Sequence, residues 1–361
     1  MRVQNASFAY KDLFAGNIDL SVATAVKILG SYPASARAFM KLAKGLKHSE
    51  KLRSQAARDG LEVPPLMIVS TTGECNLACA GCYSCANNRE KSEALSDNKI
   101  SDLLDEASAL GVNIVMLAGG EPLLSHGWMD KLSEHKELLG VVFTNGTLIN
   151  ETRLAWFDTY RHIIPALSIE GSEQQTDSRR GNGVYAKATA AMQTLKRKGI
   201  PFGISVTVTS ENIDTVLQEN FLREFMQKGC RLFFFVEYVP VEPGSEPMVL
   251  SKEDKHRLND FCTLAAKKNP ALFIPFPGDE DQYGGCLAAG RGFIHISASG
   301  EVEPCPFAPF SDNNVKNVSL KEALSSEFLS AVRANHHLLK EGSGGCALWN
   351  NRQWLTELLV K

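Results

Sequence analysis

Leu66-Met67-Ile68-Val69-Ser70-Thr71-Thr72-Gly73-Glu74-Cys75-Asn76-Leu77-Ala78-Cys79-Ala80-Gly81-Cys82-Tyr83 joins a short apolar run to a loop that carries three thiols. The run Leu66–Ser70, bounded upstream by Pro64-Pro65, has the length and composition of a buried strand. Upstream of it the pattern is helical. Leu20–Leu29 and Ala36–Leu52 space their apolar residues by three and four, with an interruption at Ser31-Tyr32-Pro33, so residues 1–62 read as a helical N-terminal extension. Downstream, β-rich apolar runs alternate with amphipathic stretches. Strands are expected near Leu66–Ser70, Asn113–Ala118, Val141–Thr144, Ile164–Ile169, Phe202–Val208 and Leu232–Tyr238. Helices are expected near Asp97–Leu110, Trp128–Glu137, Glu151–Tyr160, Ala186–Lys198, Thr215–Lys228 and Lys252–Lys268.

Six strand–helix units in succession imply a parallel sheet with right-handed crossovers, either a closed or partly closed barrel or a doubly wound sheet. In such barrels function sits on the loops that follow the strands, and the cysteine loop follows the first strand. After Pro270 the rhythm gives way to a Pro- and Gly-rich segment. A hairpin is expected there, Phe293–Ser297 with Glu301–Glu303 around Ser299-Gly300, followed by helices at Leu320–Asn335 and Trp349–Val360.

At 361 residues the chain suits a barrel-sized unit with a small appendage. Its 44% hydrophobic and 22% charged residues are those of a globular protein, and no stretch approaches the roughly 20 apolar residues of a membrane span. The opening Met1-Arg2-Val3-Gln4-Asn5-Ala6-Ser7 lacks the apolar run of a secretory signal, which leads to an expected cytoplasmic location. A net charge of −3 gives no general attraction to nucleic acid, so no nucleic-acid partner is expected. Charge is uneven locally, with seven Lys or Arg from Arg37 to Arg58 against the single acidic Glu50. That stretch reads as a solvated helical cap over the barrel bottom, with peripheral contact to anionic lipid as the alternative. Nine cysteines, four of them between Cys75 and Cys85, form no even disulfide framework in a cytosolic chain and point to metal ligation or catalysis.

Cys75, Cys79 and Cys82 lie within eight residues and can wrap three corners of a cubane iron–sulfur cluster, leaving the fourth iron without a protein ligand. An amine and a carboxylate on one ligand can chelate that iron. Structural zinc is the alternative for these thiols, but it asks for four ligands, usually from two separated pairs. Cys85 would close the open iron if it were a fourth ligand and is read as a spare thiol.

This constellation resembles the radical S-adenosylmethionine (SAM) superfamily: three cysteines spaced by three and two residues, then aromatic Tyr83, with Gly119-Gly120-Glu121-Pro122 after the second strand. The resemblance covers roughly residues 66–346 and extends to Thr144-Asn145-Gly146, Ser168-Ile169-Glu170-Gly171 and Arg180-Gly181-Asn182-Gly183-Val184-Tyr185. It implies a partial (β/α)6 TIM-like barrel in residues 63–270. It also implies a [4Fe–4S] cluster on Cys75, Cys79 and Cys82 that reduces SAM to methionine and a 5′-deoxyadenosyl radical, which abstracts hydrogen from a substrate. Tyr83, Gly119, Gly120, Glu121, Asn145, Ser168 and Arg180 are the cofactor-binding residues it carries over. Gly119 and Gly120 would let the backbone approach the SAM amino group, Glu121 would hold that group, and Ser168 and Arg180 would contact ribose and carboxylate. Glu170 departs from the aspartate usual in relatives.

Cys286, Cys305 and Cys346 resemble the opening of the SPASM and twitch auxiliary-cluster domains, in a three-cysteine version because Phe307-Ala308-Pro309-Phe310 stands where further cysteines would follow. The resemblance implies one auxiliary [4Fe–4S] cluster in residues 271–361. Three buried structural cysteines are the alternative. Cys230 and Cys262 read as core residues. The expected partners are a flavodoxin or ferredoxin-type reductant and a small-molecule, lipid or tetrapyrrole-like substrate. A peptide maturase is the alternative enzyme, and a non-catalytic iron–sulfur or zinc sensor the alternative of another class.

Overall fold

The computed structural model describes residues 31–86, 94–276, 285–339 and 346–360. The expected helix at Leu20–Leu29 lies outside them. Their centre is one sheet in the order β7-β6-β5-β4-β3-β2-β1-β8-β9, formed by β1 (Leu66–Ser70), β2 (Ile114–Ala118), β3 (Leu139–Thr144), β4 (Ile163–Ser168), β5 (Gly203–Val208), β6 (Leu232–Glu237), β7 (Leu272–Phe276), β8 (Phe293–Ile296) and β9 (Val302–Glu303). All neighbours run parallel except β8 and β9. Helices fill the crossovers, and the sheet curls into a partial barrel, the architecture expected from the sequence.

Local chemistry sets the element ends. The helix Asp97–Leu110 starts where the Ser96 hydroxyl accepts the Lys99 N–H and stops at Gly111, whose φ of +101° few other residues adopt. Its Ile100, Leu103, Leu104 and Ala107 form the buried stripe. Strand side chains alternate between faces. Val115 and Leu117 pack outward against helices, whereas Met116, Val141, Phe143, Ala166, Phe234 and Val236 line the barrel interior. The Phe143 and Phe234 rings meet there edge-on with centroids 5.0 Å apart.

The sheet extends beyond six strands at both ends. β7 lies where a break in the rhythm was expected; Pro275 is accommodated because β7 is an edge strand and its missing N–H breaks no ladder on the outer side. On the other side the expected hairpin joins the barrel itself, with β8 parallel to β1 and Leu66 opposite Phe293. A buried polar chain fastens the two: the Ser70 hydroxyl lies 2.9 Å from His295 Nε2, and His295 Nδ1 lies 2.6 Å from Glu303 Oε2. Three expected helices are split, Trp349–Val360 among them into Ala347–Asn350 and Arg352–Leu359. The segment 215–228 becomes Ile213–Val216 and Glu219–Gln227, and 320–335 becomes Leu320–Leu324 and Glu327–Ala334, the second restarted by Ser326, which accepts the Leu329 N–H.

The helix Ala36–Arg58 buries little beyond Leu42 and lies across the N-terminal ends of the strands. Tyr32 donates to the Gly229 carbonyl before β6, Arg53 to the Gly111 carbonyl before β2, and Arg161 before β4 donates to the Ser35 hydroxyl. This end of the barrel is opposite the cysteine loop. No helix among the described residues is long and apolar enough to cross a membrane.

Candidate functional site

The loop that follows β1 is held by the exits of four other strands. After β2, the Gly120 N–H donates to the Thr72 carbonyl (2.7 Å) and the Glu121 N–H to the Glu74 carbonyl (2.8 Å). A Cβ at Gly120 would sit 1.9 Å from the Glu74 oxygen, and one at Gly119, where φ is +104°, would sit 2.7 Å from the Thr72 oxygen. The close approach these glycines permit is therefore to the cysteine loop itself. After β3, Asn145 Nδ2 donates to Asn76 Oδ1 (2.8 Å), while Asn76 Nδ2 donates to the Thr147 hydroxyl (2.8 Å). Beyond β4, Ala80 and Arg179 are doubly joined, Ala80 N–H to the Arg179 carbonyl (3.0 Å) and Arg179 Nε to the Ala80 carbonyl (3.2 Å). From β6, Tyr238 packs on Gly81 and Glu242 Oε2 accepts the Gly81 N–H (3.2 Å).

The loop so fixed lines a cavity at the C-terminal end of the barrel. Cys75, Cys79, Cys82, Tyr83, Gly119, Gly120, Glu121, Asn145, Ser168 and Arg180 all face it, so the candidate residues of the first site, scattered over more than 100 positions of sequence, are brought together. The apolar part of the wall includes Met116, Phe143, Phe234, Val236, Phe276 and Phe307. Phe307 meets Tyr83 edge-on at 5.0 Å, so the segment after Cys305 closes over the cysteine loop.

Glu121 is 1% exposed, and burial pushes its carboxyl above the usual range against the bonds it accepts. Oε1 accepts from the Thr144 hydroxyl (2.7 Å) and the Leu123 N–H (3.1 Å), and Oε2 from the Asn145 N–H (2.8 Å). The carboxylate thus braces the exits of β2 and β3 and keeps one lone pair of Oε2 for a further donor. Arg180 is committed to Glu170: its Nε (2.7 Å) and Nη2 (2.5 Å) reach Oε1, which Arg179 Nη1 also reaches (2.5 Å). The side chain that departs from the family pattern is long enough to hold both guanidiniums. Burial opposes the charge on Arg180, but Glu170 and Cys79 outweigh it and the net shift is upward. Glu170→Ala is expected to leave two uncompensated guanidiniums and to destabilise the fold by about 3 kcal/mol, read as a shift in denaturation midpoint at unchanged slope.

Burial raises the Cys75 and Cys79 thiols, and at Cys79 the charges of Arg180 and Arg179 pull the other way. Metal capture must expel those protons, and the two arginines favour the thiolate that results. Cys85 stands one helical turn on, its thiol beside that of Cys82 and pushed up to about 11 by burial and by that neighbour. Among the described residues no three His, Cys, Asp or Glu side chains close on one point as ligands of a single metal ion do. A cubane, by contrast, distributes its irons over separate corners and takes one thiolate at each. Three thiols of a rigid loop facing one cavity fit that requirement.

Cys286, Cys305 and Cys346 also converge. The Cys305 thiol is pushed up by burial and then by its neighbours Cys346 and Cys286. Of the side chains that the sequence offers for a fourth ligand position in this group, His336, His337 and Asp312, Asp312 accepts the Phe328 N–H (3.3 Å) and His336 Nδ1 lies 2.7 Å from the Arg333 carbonyl. Cys230 and Cys262 are buried in the core. An ion pair not anticipated from the sequence adjoins the site: Glu237 lines the cavity and Lys255 Nζ reaches its Oε2 at 2.8 Å, while the Cys346 thiol is lowered chiefly by its Cys305 neighbour, with the Lys255 ammonium adding a smaller pull. Arg179, Asn76, Tyr238 and Glu242 are further site residues that the sequence reading left out. The doublet Arg179-Arg180 was the one available signal; the others depend on which strand exits face each other.

Comparison with known proteins agrees with this geometry. Residues 69–219 match the model of the radical SAM superfamily. The AdoMet-dependent heme synthase of Methanosarcina barkeri is 26% identical over 72% of this chain and 81% of its own length. The pre-heme d1 synthase of Dinoroseobacter shibae is 28% identical over 78% of this chain and 79% of its own length. In three dimensions the chain is similar to Streptococcus suis SuiB bound to the precursor peptide SuiA, with a TM-score of 0.64 at 19% identity, over 83% of this chain and 76% of that one.

Proposed function

This chain belongs to the radical SAM superfamily, and from that premise we propose that it abstracts hydrogen from a tetrapyrrole-like substrate held against the aromatic wall of the barrel. The observation that carries the reading is the cysteine loop, clamped from four strand exits so that three thiols face the cavity. Two relatives named as heme-type synthases support the substrate class, and so does a wall in which Phe143, Phe234, Phe276 and Phe307 offer flat apolar surface.

Cys75, Cys79 and Cys82 would hold the [4Fe–4S] cluster, with one iron left to the amine and carboxylate of SAM. When bound, the cluster supplies the electron that cleaves SAM to methionine and the hydrogen-abstracting 5′-deoxyadenosyl radical. The chain's own residues position and shield. Glu121, immobilised by three donors, presents the remaining lone pair of Oε2 to the SAM amino group. Arg180 places positive charge beside Cys79, and Ser168 offers a hydroxyl at the cavity edge. The edge-on rings of Phe143 and Phe234 help keep water from the barrel interior. Residues 271–361 would carry an auxiliary [4Fe–4S] cluster on Cys286, Cys305 and Cys346, and an external flavodoxin or ferredoxin-type reductant would supply electrons.

Anaerobically reconstituted protein given SAM and dithionite is expected to form 5′-deoxyadenosine. Deuterium should enter that product from a labelled tetrapyrrole pool; its entry from a labelled peptide pool instead would transfer the reading to a peptide maturase. Cys305→Ala is expected to leave uncoupled SAM cleavage near the wild-type rate while substrate conversion stops. Loss of cleavage in that variant would reverse the two cysteine assignments.

A further inference from the structure

Tyr238 follows the last residue of β6, and its N–H donates to the Val208 carbonyl at 3.0 Å, which fixes where the side chain starts. The residue is 2% exposed. It lines the cavity, yet among the described residues its hydroxyl has no hydrogen-bond partner. A buried hydroxyl left unpaired carries an uncompensated desolvation penalty, so one on a residue that lines a ligand cavity implies an acceptor supplied by the ligand.

Its position narrows which ligand. A Cβ placed at Gly81 would meet Tyr238 Oη at 2.5 Å, Cε2 at 2.9 Å and Cζ at 3.1 Å. The phenol ring therefore fills the space that a side chain at position 81 would take, inside the segment between Cys79 and Cys82. Four residues on, Glu242 takes the Gly81 N–H, so the exit of β6 grips this loop twice. A hydroxyl seated against Gly81, between Cys79 and Cys82, belongs to the cysteine-loop side of the cavity and not to its apolar depth. We propose that Tyr238 is a SAM-binding residue whose hydroxyl donates a hydrogen bond to SAM while its ring replaces the missing side chain of Gly81. This rests on the reading that the cavity takes SAM.

The test uses the full chain, cluster-loaded under anaerobic conditions and with no substrate present. SAM affinity is read by equilibrium dialysis with labelled SAM and, independently, by the change SAM causes in the electron paramagnetic resonance spectrum of the reduced cluster. Tyr238→Phe keeps the ring on Gly81 and removes only the hydroxyl. Its iron and sulfide content should equal wild type, with SAM affinity weaker by about five- to tenfold. Tyr238→Ala removes the ring as well and should weaken SAM further. Unchanged SAM affinity in Tyr238→Phe overturns the proposal and assigns the hydroxyl to another ligand. Loss of iron in Tyr238→Phe overturns it too, because the hydroxyl then serves the cluster. Wild-type protein that holds a cluster but ignores SAM sinks the functional reading itself, an outcome separate from either variant's.

Discussion

Cys79→Ala is expected to abolish SAM cleavage, with 5′-deoxyadenosine formation falling on the order of a thousandfold or more, because the chemistry belongs to a cofactor the remaining two thiols would not retain. Cys79 occupies the middle of the triplet, flanked by the Ala80–Arg179 staple and next to the two guanidiniums that favour its thiolate. The variant should lose the iron of one cluster and keep that of the second cysteine group. Measuring iron together with cleavage makes the result decisive: a variant that retains full iron and cleaves SAM at the wild-type rate removes Cys79 from the site. Cys85 is the natural rescue candidate, since its thiol lies beside that of Cys82, and a double variant with Cys85→Ala would expose any such substitution of ligands.

Gly120→Ala is expected to be nearly as damaging for a different reason. The new methyl would stand 1.9 Å from the Glu74 oxygen and 2.5 Å from its carbonyl carbon, and neither belongs to a flexible side chain. Backbone must move, which costs roughly 3 kcal/mol and breaks the bonds from Gly120 to Thr72 and from Glu121 to Glu74. Reconstitution should then yield little cluster even where the chain still folds. Gly73→Ala is the internal control: it lies in the same loop, has nothing within 4 Å of its Cβ and should change stability by less than about 0.5 kcal/mol. Equal unfolding midpoints for the two variants would show that the Gly120 contact carries no weight.

The sequence made the barrel legible because short β-rich apolar runs and amphipathic period-3.6 stretches alternate from Leu66 to Lys268 with few interruptions. Helices Asp97–Leu110 and Lys252–Lys268 coincide with their expected bounds, each beginning at a serine cap that the sequence displays. β7 was not legible because it opens the Pro- and Gly-rich segment after Pro270, where the strand–helix rhythm breaks, and its edge position is a property of the finished sheet. The pairing of β8 with β1 was hidden for the same reason, since the two are more than 200 residues apart. At the site, the thiols announce themselves by spacing, whereas what the glycines approach is decided by the loop opposite. Gly119 and Gly120 line the cavity as expected of residues that admit a ligand, and the structure adds that they also make room for Thr72 and Glu74.

The union of β8 with β1 bears on electron flow between the two cysteine groups. Cys75 follows β1 by five residues and Cys305 follows β9 by two, and a shared ladder, together with the Ser70–His295–Glu303 chain, ties those strands in register. Were both groups to hold clusters as proposed, the distance between Cys75 and Cys305 that an electron would cross would be set by the sheet. Timing of transfer would fall to what enters the space between the centres, so substrate arrival could act as the gate while the framework stays still.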